Sequence, residues 1–449
     1  MRISTTVMET LLGSGLVRRL HSTRTYVLWL LLGALLCELG RAESLEDAWS
    51  IALAQNHRLA ATSLEQVAAS LDTAAAEAER MPSVSLRSAY TLRSHEPSFV
   101  VQDPLPGLGT LEFPYAQQNA ASAGAVVRMP LYTSGRIENS VFRAAAREEA
   151  AAFDACRVRF DLLFAVGEAY LGVLRGQRDV EVAAREQESL AAHAEDVGRL
   201  HALERVPLAD LLGAQAAAAA ANQRFLHEQR MLEVCRGRYN RLLGRPLLAH
   251  VQLEEIELPV NSWTLDQLVQ IAYDKRPDLQ ALVAVANSHN FASQAARATA
   301  RPQVSASVSS QYEENRYGDP QTLATAAIVV DWNIFDGGKS SRAADAEFAR
   351  FSAARRFVED LKSEIALSLL DAWNQHAAAT EAVDVVARRL QHAAENLRVA
   401  RQRFGRGLAL NAEVLNAQAE WSQSMRDYHH ALYDVIFARL RLRYSSGLL

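Results

Sequence analysis

The chain has 449 residues, with 47 Lys and Arg against 52 Asp and Glu and a formal net charge of −5. No basic cluster is interleaved with aromatics, which excludes nucleic acid as a partner. Three scattered cysteines make neither a disulfide framework nor a metal-ligand spacing.

Arg18, Arg19 and Arg24 precede an apolar run at 26–37, and Gly40-Arg41-Ala42 follows with small residues at both recognition positions. That is the pattern of a secretory signal peptide, residues 1–42, cleaved after Ala42. Cys37 suggests a lipoprotein, but Leu36 stands where a small residue precedes a lipidated cysteine. The run of 12 residues is too short for a membrane anchor. Cleavage leaves 407 residues with 42 basic and 50 acidic side chains, a net charge of −8. No later apolar run reaches the ~18 residues of a transmembrane helix. Export then implies a periplasmic, secreted or outer-membrane β-barrel product. Cys156 and Cys235 remain, and both read as small apolar residues at helix interfaces.

The rest is two copies of one pattern. Leu45 with Ile51-Ala52 returns as Leu265 with Ile271-Ala272, and Pro82-Ser83-Val84-Ser85 returns as Pro302-Gln303-Val304-Ser305, both at an offset of 220. Past a longer loop in the first copy the offset becomes 203: Gly135-Arg136 matches Gly338-Lys339, and Gly244 matches Gly447. Repeat 1 spans 43–246, a linker 247–262 and repeat 2 263–449.

In each copy two helices precede Pro82 or Pro302, and then the apolar period switches from 3.6 to 2. Val84, Leu86, Tyr90 and Leu92 alternate with Ser85, Arg87, Thr91 and Arg93. Ala125, Val127, Met129 and Leu131 form the returning row, with Tyr132 at its end. In repeat 2, Val304, Ala306, Val308 and Tyr312 are answered by Ala326, Ile328, Val330, Trp332 and Ile334. Strands are expected at about 83–93, 122–132, 303–313 and 323–335, each near the ~10 residues that a tilted strand needs to cross a bilayer. The connection 94–118 reads as a long Pro-rich loop, and 314–322 as a shorter one. Four strands cannot close a barrel, which takes about eight, so several chains must each contribute four.

Helices are expected at about 137–202, 208–243, 339–404 and 411–445. Residues 339–404 hold neither Gly nor Pro over 66 positions, about 100 Å as one helix. Phe351, Val358, Ile365, Ala372, Ala379, Val386, Ala393 and Ala400 repeat every seven residues, and Val383, Leu390, Leu397 and Phe404 form a second row. That is coiled-coil packing. Asn411 reads as the cap of the return helix and Pro207 as the start of its counterpart.

Asp336-Gly337-Gly338-Lys339-Ser340 joins strand to helix where a phosphate-binding loop belongs. Asn333 takes the place of the earlier Gly that such a loop requires. It reads as a turn, not a nucleotide site. His227-Glu228 and His429-His430 have no metal spacing, and no catalytic constellation emerges. The expectation is no enzyme, no cofactor and no metal.

Together these features resemble the TolC-like outer-membrane efflux factors over about 44–447. The resemblance rests on Leu45 with Ala48, the Pro-x-Val-Ser starts, the Gly turns, and the tip Arg403-Phe404-x-x-Gly407 followed by Glu413-Val414-Leu415-Asn416-Ala417-Gln418. It implies a homotrimer with a twelve-strand barrel in outer-membrane lipid and a twelve-helix barrel in the periplasm. The tips would form a gated mouth that meets a periplasmic adaptor protein and an inner-membrane transporter. Asp210, Glu413 and Asn416 become the gate candidates. Arg205, Val206, Arg406, Gly407 and Leu408 become the adaptor-contact candidates. Glu204 replaces the family's tip Gly in the first copy. The reading is a passive efflux or type I secretion duct, and its rival is a periplasmic or secreted coiled-coil scaffold without a membrane barrel.

Overall fold

The structure, a computed structural model, describes residues 42–102, 107, 109–256 and 263–449. The expected signal peptide apart from Ala42, and 257–262 of the expected linker, lie outside the described residues. The first repeat holds α1 (Leu45–Gln55), α2 (His57–Ala78), β1 (Ser83–Leu92), β2 (Ser98–Gln102), β3 (Thr110–Pro114), β4 (Asn119–Tyr132), α3 (Arg136–Ala202) and α4 (Leu208–Leu242). The second holds α5 (Leu265–Lys275), α6 (Pro277–Ala298), β5 (Gln303–Glu313), β6 (Thr322–Asp331), α7 (Lys339–Gly405) and α8 (Asn411–Ser445).

The copies match helix for helix, with 11, 22, 67 and 35 residues in each. Their unusual backbone positions match too. Ser134 and Gly135 have positive φ, as do Gly337 and Gly338; Glu204 pairs in this way with Gly407, and Gly244 with Gly447. Each pair is 203 residues apart, so one backbone trace is written twice with different side chains.

Two compact units form. One takes Asn56–Phe164, Asn261–Ala377 and Arg441–Leu449. Its four-stranded sheet has the order β1-β4-β5-β6, antiparallel throughout. The register aligns Val84, Val127, Val308 and Ala326 across the sheet, with Met129, Ala306 and Ile328 alongside. Alternation sends these to one face and Ser85, Val126, Ser309 and Thr325 to the other. Every residue of β1 and β6 is exposed. Among the helices of this unit, Leu268, Ala272, Leu279, Val358, Ile365 and Leu369 pack as one core. Burying a side chain such as Ile365 or Leu369 contributes about 1.5–3 kcal/mol.

Three expectations change here. The pairing slips between Pro130 and Tyr132, because Pro130 has no N–H to give the ladder. Leu131 becomes the extra residue, and Tyr132 takes the place beside Val304. Strand β6 stops at Asp331, opposite Gln303. Pro302 precedes its partner strand, so Trp332 and Ile334 have no ladder to join. Third, the connection 94–118 is not all loop. It carries the ribbon β2–β3, in which Phe99 faces Phe113 and Val101 faces Leu111.

Of the described residues, the other unit takes 42–55, 165–256 and 378–440. Among the heptad positions of α7, Ala393 and Ala400 are buried, with Leu397 and Phe404 of the second row. They meet Val197, Ala214, Val414 and Ala417 in one core. The described part of the linker does not run free. Glu43 pairs with Leu253 as an isolated parallel bridge, and its carboxylate holds Arg245 through two contacts at 2.9 and 3.0 Å. The buried Tyr170 hydroxyl lies 2.6 Å and 2.8 Å from the carbonyl oxygens of Glu43 and Glu254, and burial pushes its pKa up.

Candidate functional site

Each hairpin tip is closed by a left-handed residue. After α7, the N–H of Leu408 donates to the Arg403 carbonyl at 2.8 Å and that of Gly407 to Phe404 at 2.9 Å. With Gly407 at φ 75° this is a Schellman closure. After α3 the same pair of bonds runs from Arg205 to Leu200 at 2.9 Å and from Glu204 to His201 at 2.8 Å. There Glu204 itself takes φ 54°, a conformation that costs an L-residue about 1–2 kcal/mol.

Arg205, Arg406, Gly407 and Leu408 are exposed at these tips. Val206 is half-buried and packs against the tip core. Glu413 reaches back to accept from the Leu410 N–H at 3.2 Å, and its other oxygen lies 3.6 Å from Arg403. It therefore closes the first turn of its own helix, as acids at helix starts do. Asn416 is exposed and Asp210 half-buried.

Asn411 does not cap its helix. It is 3% exposed, and its amide donates to the Asp210 carbonyl at 3.0 Å while its oxygen lies 2.7 Å from His193 Nε2. One side chain thus joins α8 to both helices of the first hairpin. Beside the apolar core, a row of polar contacts also runs between α3 and α8. Ser189 donates to Gln418 at 2.7 Å, His430 lies 2.8 Å from Asp179, and Arg175 lies 2.5 Å from Asp434. Buried Glu186 accepts from Arg224 of α4 at 2.7 Å, with Arg426 of α8 3.8 Å away. Arg401 of α7 adds a contact to Gln418 at 2.7 Å. Nothing in the sequence alone marks this seam, because its partners lie up to 259 residues apart and no local rule links them.

In the sheet unit the turn before α7 is closed by its own acid. The Asp336 carboxylate accepts from the N–H groups of Gly338, Lys339 and Ser340 at 2.9, 3.0 and 2.8 Å. Bonds from Ser340, through its hydroxyl and then its N–H, followed by those from Gly338 and Lys339, hold this carboxyl below its ordinary range. A phosphate would need those same donors, so the loop is already filled. Among the described residues no three His, Cys, Asp or Glu side chains gather as a metal site, and no helix is long and apolar enough to cross a membrane. Cys156 is exposed rather than packed, and Cys235 is half-buried with its thiol pushed up by burial.

The sheet has four strands with one apolar face and two open edges, and each repeat carries a 67-residue helix followed by a 35-residue helix. Over its second repeat the chain resembles an efflux-protein family, and over both repeats it shares the fold of solved outer-membrane proteins. Residues 268–448, 181 of the 449, match the outer membrane efflux protein family. The alkaline protease secretion protein AprF of Pseudomonas aeruginosa is 22% identical over 297 residues, 64% of this chain and 62% of that protein. The match thus spans somewhat under two thirds of the curated relative. Among solved structures, the outer membrane protein VceC of Vibrio cholerae aligns with a TM-score of 0.76 at 17% identity, over 90% of this chain and 96% of that one. The Campylobacter jejuni CmeC outer membrane channel aligns with a TM-score of 0.76 at 12% identity, over 90% and 85% of the two chains.

Proposed function

We propose that the chain is the outer-membrane channel of a tripartite efflux or type I secretion system, a passive duct from periplasm to exterior that does no catalysis. The observation that carries this is the register of the sheet, which gathers Val84, Val127, Val308, Met129 and Ile328 on one exposed face. An apolar sheet face with two open edges is unstable in water. Lipid against the face and further copies against the edges satisfy both needs.

The edge strands β1 and β6 run in opposite directions, so β6 of one copy can pair with β1 of the next in an unbroken antiparallel ring. Two copies supply eight strands and three supply twelve; the family resemblance favours three, a homotrimer. A soluble coiled-coil scaffold leaves the apolar face without cover. The secretion named for the Pseudomonas relative keeps protein export beside small-molecule efflux as cargo.

The tips then form the periplasmic mouth. Exposed Arg205, Arg406, Gly407 and Leu408 meet a periplasmic adaptor protein, with Val206 supporting them from the tip core, and an inner-membrane transporter supplies the energy. Asp210 and Asn416 border the mouth as gate residues. Glu413 serves there first as a helix cap, its charge shared with Arg403.

Expressed from the full sequence, the protein should sediment with the outer membrane and resist alkaline extraction. Recovery in the soluble periplasmic fraction would overturn the duct and support the scaffold.

A further inference from the structure

Resting on that reading, in which the polar face of the sheet lines the lumen, we propose that Arg87 and Arg128 make the barrel an anion-selective section. It favours solutes that carry carboxylate, phosphate or sulfate groups. The register places both residues on the polar face. Arg87 lies in a cross-strand row with Gly124, Gln311 and Leu323, and Arg128 in a row with Ser83, Ser307 and Ala327. Both are exposed. Among the described residues neither guanidinium has an ion-pair or hydrogen-bond partner. Two acids share the face, Glu313 and Asp331, and each is the last residue of its strand. Acids therefore stand at the rims, and the two arginines lie between them.

Side-chain length strengthens the effect. The remaining positions on this face are mostly Ser, Thr, Ala, Gly and Val, so the arginines reach furthest inward. Twelve strands about 4.8 Å apart and tilted about 40° enclose a radius of about 12 Å. An extended Arg brings its charge to within about 6 Å of the axis, inside the ~10 Å Debye length at 0.1 M salt. Three copies give three charges at each of two levels. Rings of fixed basic side chains select anions in pores, and lumen substitutions tune selectivity without removing the lipid-facing contacts.

Reversal potentials of the purified full-length protein in planar bilayers under a KCl gradient test this. The double variant Arg87→Gln, Arg128→Gln should lower the chloride-to-potassium permeability ratio by about threefold or more, from Coulomb's law in water with Debye screening. Arg87→Cys in a Cys156→Ser, Cys235→Ser background provides a second measurement that survives poor assembly of the double variant. A sulfonate thiol reagent should shift the ratio towards potassium and an ammonium reagent towards chloride. Conducting pores whose ratio is unmoved by either change would overturn the arginine section and leave the duct standing. Absence of conductance from the unaltered protein would overturn the duct, and the selective section with it.

Discussion

Asn411 and His193, 218 positions apart in sequence, meet at 2.7 Å inside the tip unit, and the same Asn411 amide reaches the Asp210 carbonyl at 3.0 Å. A buried amide bonded on both sides ties the second hairpin to the first where the chain turns. Asn411→Ala leaves the His193 nitrogen without its partner, a loss of about 1–3 kcal/mol for a buried polar group. Amide exchange at 200–215 should accelerate, while exchange in β1 and β4 should not change. Unaltered exchange at the tip would mean that the contact holds nothing.

Glu204 and Gly407 hold the same left-handed position in the two copies, but only glycine does so without strain. Glu204→Gly should stabilise the first tip by up to about 1 kcal/mol, and Gly407→Ala should destabilise the second by about as much. Local exchange protection on either side of each turn reads both changes. Equal and opposite shifts support a shared turn geometry, and a loosened tip in Glu204→Gly would contradict it.

Val308 and Ser307 are neighbours in β5 that point to opposite faces. Arg at Val308 should cost ~2–4 kcal/mol near the bilayer midplane and sharply lower the yield of membrane-assembled protein. Arg at Ser307 should assemble normally. Equal tolerance of the two would remove the lipid-facing role from the apolar face.

The starts of the two long helices should respond differently to acid. Asp336 is held below its ordinary range by the donors of its turn, so its contribution is present above the ordinary pKa of about 3.9 and is lost as pH falls through the lower folded value. Thr133 holds the equivalent place and accepts from the Ile137 N–H at 3.4 Å with a neutral hydroxyl. Below pH of about 4 the start of α7, where one carboxylate accepts three backbone bonds, should fray more than the start of α3, where Glu138 accepts only from the Thr133 hydroxyl, as measured by exchange corrected for intrinsic rates. Equal fraying at both starts would show a global cause.

Much of this was legible locally. The eight heptad residues of α7 are all buried or half-buried, because a period of seven on a helix fixes one face whatever packs against it. Period 2 likewise sorted Val84 from Ser85 and Val308 from Ser307 before any pairing was known. Local rules failed where a distant partner decides. Asn411 sits where an N-cap belongs, but its side chain turns to a helix more than two hundred residues earlier. Leu131 alternates correctly until Pro130 interrupts the ladder. The β2–β3 ribbon leaves little local trace because its five-residue strands are set among prolines. The runs Phe99-Val100-Val101 and Leu111 with Phe113 were its only local signal.

Native mass spectrometry of the protein extracted from outer membranes in mild detergent reads whether further copies of the chain close the open sheet edges. An assembly of three times the processed protomer mass is expected, dissociating to single chains only on denaturation. A single chain, stable and monodisperse without detergent, would contradict it.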